Sequence, residues 1–463
     1  MSTIAENLEA LQQAKEDIAQ AIVAKGGYVS QDEGFSSFAQ SITQTIPDPG
    51  PQDLPVIFYD YDGTILYSYS AANFLNLSDM PANPTHEGLV AEGWNWTLAD
   101  AKDYVSKHGA IDIGQLYHTE SGLYEEDITA DSESGMTVSV RAIYGTVIDW
   151  GDGTSSTFEG MVMSHTYSES GNYTIKSDKS ILMFEGTYSS TDALSLKVKR
   201  IKYPAGNGIG GVKNAPRLES IVTGRVSQED QYSIGGIGEG CPKLKHLNLP
   251  PLIVAISSGG FESSYIETIS LAKGLERLES DAFYDCKFLK RVCIPEVLEE
   301  LQHSTFVACP SLKEVIIPEN IPETALYSTF AECISLRSIK IPSNITELVG
   351  TFSTCPSLVS VTFDDDSKLH TIARYAFYGC SSLESITIPA GVNQITSHDA
   401  ISGCTSLTSI TFLSENPPTI PSDGFTPSCR SLNKILVPHG ALQAYVEAPN
   451  WDYYGSILFE LPE

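Results

Sequence analysis

Eight of the nine cysteines recur at a nearly fixed interval through the C-terminal half of the chain, at positions 241, 286, 309, 333, 355, 380, 404 and 429. Their spacings are 45, 23, 24, 22, 25, 24 and 25 residues, the first covering two degenerate turns. A period in the low twenties rules out a set of independent cores. Each unit is too short to bury its own apolar face, so neighbouring units must cover it, and the product is a solenoid of leucine-rich-repeat length. A phenylalanine stands three residues before five of the cysteines (Phe283, Phe306, Phe330, Phe352, Phe377), and a leucine three residues after opens an alternating strand often closed by proline.

The fullest unit is Ala376-Phe-Tyr-Gly-Cys-Ser-Ser-Leu-Glu-Ser-Ile-Thr-Ile-Pro389. In its strand Leu383, Ile386 and Ile388 point inward, while Ser385 and Thr387 point out on a parallel sheet. Pro389 has no N–H for the ladder and stops the strand. The phenylalanines are expected to stack into a spine and the cysteines to be buried, reduced thiols, since their count is odd and eight share one register. Adjacent turns bring equivalent Cα atoms within disulfide reach, so distance alone leaves bridging open. No C-x-x-C pair occurs, so no zinc site is expected.

The pattern F-x-x-C-x-S-L-x-x-[IV]-x-[IV]-P resembles the BspA-type leucine-rich repeats of bacterial surface proteins and gut-bacteriophage tail proteins, over about residues 190 to 438. The ordinary leucine-rich pattern has Asn where this one has Cys. A thiol donates a weaker hydrogen bond, so packing carries more of the load. A second resemblance lies upstream. Asp149-Trp-Gly-Asp-Gly-Thr154 followed by Ser164-His-Thr-Tyr-Ser-Glu-Ser-Gly-Asn-Tyr-Thr-Ile175 is similar to the paired motifs of PKD-type immunoglobulin-like domains, with Trp150 implied as the core plug. Asp149 and Asp152 read as turn formers rather than a calcium site, because two carboxylates are too few.

The expected architecture is multidomain and mainly β: N-terminal helices (1–47), a small α+β domain (54–130), a PKD-like β-sandwich (131–186), the solenoid (187–438) and a C-terminal cap (439–463). Ile4, Leu8, Leu11, Ile18 and Ile22 form one seam of an amphipathic helix, interrupted by Lys15, suited either to packing on the Phe35–Ile46 stripe or to joining copies of the chain. This segment also resembles the attachment regions of phage tail proteins. Pro47-Asp-Pro-Gly-Pro51 reads as a linker. In the cap, Leu442, Tyr445 and Val446 are expected to face inward with Trp451 behind them.

One motif suggests catalysis. Val56-Ile-Phe-Tyr-Asp-Tyr-Asp-Gly-Thr-Ile-Leu66 resembles the D-x-D-G-T signature of haloacid-dehalogenase-type phosphatases, which implies Asp60 as nucleophile, Asp62 as acid/base and both as Mg²⁺ ligands. That chemistry also needs a doubly wound sheet delivering a lysine and further acids, and the sequence downstream does not supply it. The competing reading is a strand pair with a D-G turn. No catalytic residue, cofactor or metal ligand is therefore expected.

With 58 acidic and 28 basic residues the formal charge is −30, which argues against nucleic acid and anionic membrane as partners. No signal segment and no stretch of membrane-spanning length is seen, so membrane insertion is not expected. The leading expectation is a homo-oligomeric phage virion protein, a tail fibre or receptor-binding protein. Its partners would be other virion proteins through the N-terminal helices and a host surface protein or glycan. The alternative is a bacterial cell-surface adhesin, and the third is the Asp60-centred phosphatase. The expected binding surface is the outward strip of Ser338, Lys340, Ser360, Thr362, Ser385, Thr387, Ser409 and Thr411, a flat hydrogen-bonding surface suited to a glycan or protein edge. His246, Asn248, Arg291, Cys293, Glu314 and Ile316 are expected on the same open face, with the Trp94–Trp96 patch as a competing anchor.

Overall fold

The computed structural model describes residues 56–462 apart from 134, 161, 183–195, 206–210, 226–231 and 323. The seam of Ile4, Leu8, Leu11, Ile18 and Ile22, with the linker after it, lies outside the described residues. The protein is mainly β, with a solenoid of about 11 turns.

Each regular turn gives two short strands to two parallel ladders. One ladder follows Arg291–Cys293, Glu314–Ile316, Ser338–Ile341, Ser360–Phe363, Ser385–Ile388, Ser409–Phe412 and Lys434–Val437, with strand pairing that stops between Glu314–Ile316 and Ser338–Ile341 and again between Ser360–Phe363 and Ser385–Ile388. Alternation works as the sequence requires, with Ile339, Val361, Ile386 and Ile410 buried beneath hydroxyl-bearing neighbours. Phe261, Phe283, Phe306, Phe330, Phe352 and Phe377 stack nearly parallel, with ring centroids 5.2–5.9 Å apart. All nine cysteines are free and buried. From Cys286 to Cys404, each repeat thiol donates to the backbone carbonyl of the preceding turn's phenylalanine, at 3.0–3.2 Å. The thiol thus holds the inter-turn contact that an Asn ladder would otherwise supply. The residue just before the cysteine takes a left-handed conformation, as at Ala308 (φ 55°), Glu332 (φ 61°), Thr354 (φ 59°) and Gly379 (φ 73°). Most turns spend an ordinary residue there, where glycine fits without strain.

Upstream, β1 (Val56–Tyr59), β2 (Ile65–Tyr69), β3 (Leu89–Trp94) and β4 (Ile111–Thr119) form a sheet in the order β2-β1-β4-β3, with helices α1 (Ala71–Leu75) and α2 (Leu98–His108). Thr97 caps α2 by accepting from the Asp100 N–H, and Gly109 in αL ends it. The apolar residues of this unit, Phe58, Phe74, Trp94, Tyr104, Ile111 and Ile113, make a core of their own.

The strands that follow form two sheets around Trp150. A six-stranded sheet contains β5 (Tyr124–Ala130), β7 (Val147–Asp149), β8 (Ser155–Thr157), β10 (Gly171–Ser177), β12 (Val198–Lys202) and β13 (Ser220–Val222). Facing it are β6 (Thr137–Ala142), β9 (Met163–Thr166) and β11 (Ile181–Leu182). The Tyr167 hydroxyl donates to the Trp150 carbonyl at 2.8 Å. Strands β12 and β13 pair in parallel and carry this sheet into the repeat array, and one apolar core runs from Ile128 to Leu458. These strands are fused to the solenoid, and do not space it at a distance.

The array closes with α3 (Leu442–Glu447), a 3₁₀ turn (Trp451–Ile457) and a strand (Leu458–Glu460) added in parallel to Lys434–Val437. Tyr445 and Trp451 are buried against Phe412. Val446, expected inward, is 48% exposed, because the residue after Tyr445 lies about 100° further round the helix.

Candidate binding face

The outward row of the first ladder divides into a covered part and an open part. In the open part Ser338 pairs with Ser360 and Lys340 with Thr362, while Ser385 pairs with Ser409 and Thr387 with Thr411. Lys340, Thr362, Ser385 and Thr387 are exposed; Ser338, Ser360, Ser409 and Thr411 are half-buried. The expected hydroxyl strip is thus brought together on one face. Lys340 is its one charged member, and Glu319 and Asp364 (2.8 Å) pair with it.

The covered part corrects the expectation that the whole row is open. His246, Asn248 and Cys293 are buried, and the α+β unit lies on them. Its β4 passes so close that a Cβ on Gly114 would sit 2.3 Å from the Asn248 side chain, so only glycine fits there. Asn248 Nδ2 donates to the carbonyls of Gln115 (3.1 Å) and Asp60 (3.2 Å). In return Asn95 Nδ2 donates to Leu249 O (3.1 Å), Trp96 Nε1 to Leu271 O (2.9 Å) and the Tyr104 hydroxyl to Ile294 O (2.8 Å). Trp94 and Trp96, read from the sequence as a possible exposed anchor, are both buried. Trp94 sits in the core of its unit and Trp96 faces the solenoid.

A charged group lies inside this contact. Arg291 Nη2 is 3.3 Å from Asp112 Oδ1, close enough for ion pairing but off the hydrogen-bond angle, and Arg291 Nε is 3.9 Å from Glu314 Oε2. Burial pushes the Asp112 carboxyl above the usual carboxylate range, with Arg291 opposing it. Burial likewise raises Glu314 to about 7 and the Cys293 thiol to about 12. Ile316 packs against the apolar residues of the docked unit. The signal in the sequence is residue type: His, Asn and Arg bring directional hydrogen-bonding groups on planar side chains, and the open stretch carries mostly Ser and Thr.

The D-x-D-G-T segment forms the β1–β2 hairpin turn. Asp60 N donates to Thr64 O at 2.9 Å, Asp62 Oδ1 accepts from Thr64 N at 2.9 Å, and Asp60 Oδ2 pairs with His86 Nε2 at 2.8 Å. Asp149 and Asp152 likewise accept from backbone N–H groups two residues on, at 2.9 and 3.0 Å, and Asp152 also meets His165 at 2.8 Å. Among the described residues no group of three or more His, Cys, Asp or Glu is placed to hold a metal ion.

Comparison with protein families matches residues 238–329 and 324–446 to the BspA type leucine rich repeat region, in six copies. Over those residues the solenoid is similar to BspA-type repeats. A search of curated proteins finds no match. Similar solved structures include a leucine-rich repeat protein from Bacteroides ovatus (23% identity, 59% of this chain and 66% of that one, TM-score 0.36). Others are a leucine-rich repeat protein from Eubacterium ventriosum (24%, 47% and 58%, TM-score 0.35) and a leucine rich cell surface protein from Faecalibacterium prausnitzii (19%, 58% and 88%, TM-score 0.31). The match thus spans just under two thirds of the Bacteroides chain.

Proposed function

We propose that the protein is a non-enzymatic recognition protein of the bacterial-surface adhesin type, whose BspA-type repeats bind a glycan or protein partner through the open strip from Ser338 to Thr411. The observation that carries this reading is the division of one sheet face. The α+β unit covers its first turns and leaves an in-register run of hydroxyls open beyond them. Apart from Lys340, which is paired with Glu319 and Asp364, such a strip offers donors and acceptors without a charge to desolvate. The repeat family favours a bacterial-surface protein over a virion component, whose separate support, the attachment-like segment 1–47, lies outside the described residues.

The test changes Thr362, Thr387 and Thr411 together to Lys, which keeps each position solvated, and follows binding of labelled protein to intact bacterial and epithelial cells by flow cytometry. Binding should fall at least tenfold. Undiminished binding by a folded triple variant removes the strip from consideration.

A further inference from the structure

The open strip does not stop at Thr411. Strands Ser385–Ile388, Ser409–Phe412, Lys434–Val437 and Leu458–Glu460 form one sheet, each paired with the next. Its register puts Thr387, Thr411, Leu436 and Phe459 in one outward row, and Ser385, Ser409 and Lys434 in the row beside it. Neighbouring strands lie about 4.8 Å apart, so the row from Thr387 to Phe459 is about 14 Å long. The Ser/Thr habit of the strip thus ends, in the same register, on a cation and two apolar side chains. Alternation along the last strand turns Leu458 inward, where it is buried, and leaves Phe459 46% exposed. Leu436 beside it is half-buried.

Charge separates this end from the rest of the strip. Lys340 is neutralised by Glu319 and Asp364, whereas Lys434 is exposed and, among the described residues, its ammonium makes neither an ion pair nor a hydrogen bond. The acid next to Phe459, Glu460, aligns with the inward-facing Val437 and accepts from the N–H groups of Gly440 (3.1 Å) and Leu442 (3.4 Å) at the start of α3. An unpaired ammonium is complementary to a carboxylate, the flanking hydroxyls of Ser409 and Thr411 to further hydroxyls, and an exposed phenyl ring to the C–H side of a sugar ring. The formal charge of −30 acts at longer range, and at physiological salt interactions beyond about 8 Å are largely screened. A stable protein partner would cover roughly 800 Å² of this chain, far more than two short rows of side chains offer. We propose that the C-terminal end of the strip is a subsite for a carboxylate-bearing sugar, a hexuronate or a sialate, with Phe459 against the ring, Lys434 on the carboxylate and Thr411 on a ring hydroxyl. The assignment rests on the reading of the strip as the binding face and narrows its partner to an acidic glycan.

Saturation-transfer NMR on the full chain tests this, with the methyl glycosides of glucuronic acid and N-acetylneuraminic acid as separate acidic probes and that of glucose as the neutral one. At least one acidic probe should give transfer, and which of them does so identifies the sugar. Phe459→Ala and Lys434→Gln, each folded by circular dichroism, should weaken that transfer tenfold or more, and Tyr144→Ala, which removes an exposed ring in the β6–β7 loop, should leave it unchanged. Transfer from the glucoside should be weaker than from the acidic probe and insensitive to Lys434→Gln. Absence of transfer from both acidic probes overturns the proposal, and so does transfer that survives both Phe459→Ala and Lys434→Gln. Failure here is distinct from failure of the strip as a whole, because the probes report this subsite and cell binding by the triple threonine variant reports the strip.

Discussion

The turns around residues 246–293 and those around 338–411 share a register, a spine and an outward row, yet one is an interior and the other a surface. Arg291 and Ser338 both stand five places after a repeat cysteine, and Cys293 and Lys340 both stand seven places after. Over these first turns a folded unit brings asparagine, tryptophan and tyrosine donors onto Leu249 O, Leu271 O and Ile294 O, and His246, Asn248 and Cys293 beneath it are buried. At the second pair the same geometry faces water. Repeat position therefore fixes which way a side chain points, and the neighbouring unit decides what that direction means.

The largest expected effect breaks the covered side. Arg291→Ala leaves Asp112 buried without its cation and should cost about 3–5 kcal/mol by denaturant unfolding. Lys340→Ala at the aligned open site removes only surface ion pairs, worth at most about 1 kcal/mol. Similar costs for the two would erase the distinction. Next comes Asn95→Ala, which strips the carbonyls of Leu249 and Ser270 of a buried donor and should cost about 1–3 kcal/mol. Ser385→Ala on the open strip should stay within about 0.5 kcal/mol.

Glu314 sharpens the comparison through pH. Its carboxyl is raised by burial to about 7 from an ordinary 4.5, so the folded state binds the proton more tightly than the unfolded one. Its contribution to stability is fully present below about pH 4.5 and is lost as pH rises to about 7. Unfolding free energies across that window should therefore fall with rising pH, and Glu314→Gln should flatten this part of the slope. An unchanged slope means that Glu314 does not titrate in the covered contact. The smallest effect lies in the shared framework. Thr354 is β-branched and left-handed at φ 59°, where the aligned residue two turns on, Gly403, is already glycine. Thr354→Gly should raise stability by up to about 1 kcal/mol, read as a small rise in Tm.

The parts of this molecule that repeat were legible in its sequence, because repetition turns weak local signals into a register: the phenylalanine spine, the buried reduced thiols and the open hydroxyl strip all follow from spacing. What could not be read was contact between dissimilar parts. Nothing in the repeat spacing says that Gly114 will press on Asn248, or that Trp96 will reach Leu271 O, since those pairs are far apart in the chain and occur once. The polar cluster at Asp112, Arg291 and Glu314 was likewise invisible as a cluster, although Arg291 and Cys293 already departed from the Ser/Thr habit of the later strands.

Thiol labelling of the native protein tests the divided face most directly. Cys293 already points outward and is 6% exposed because the α+β unit covers it, and the other eight cysteines point into the repeat core. A Thr387→Cys variant should react with a maleimide within minutes at the introduced thiol, while all nine native cysteines stay unmodified until denaturant is added. Cys293 labelling as fast as the thiol introduced at position 387 would contradict the account, because the first turns would then be as open as the rest.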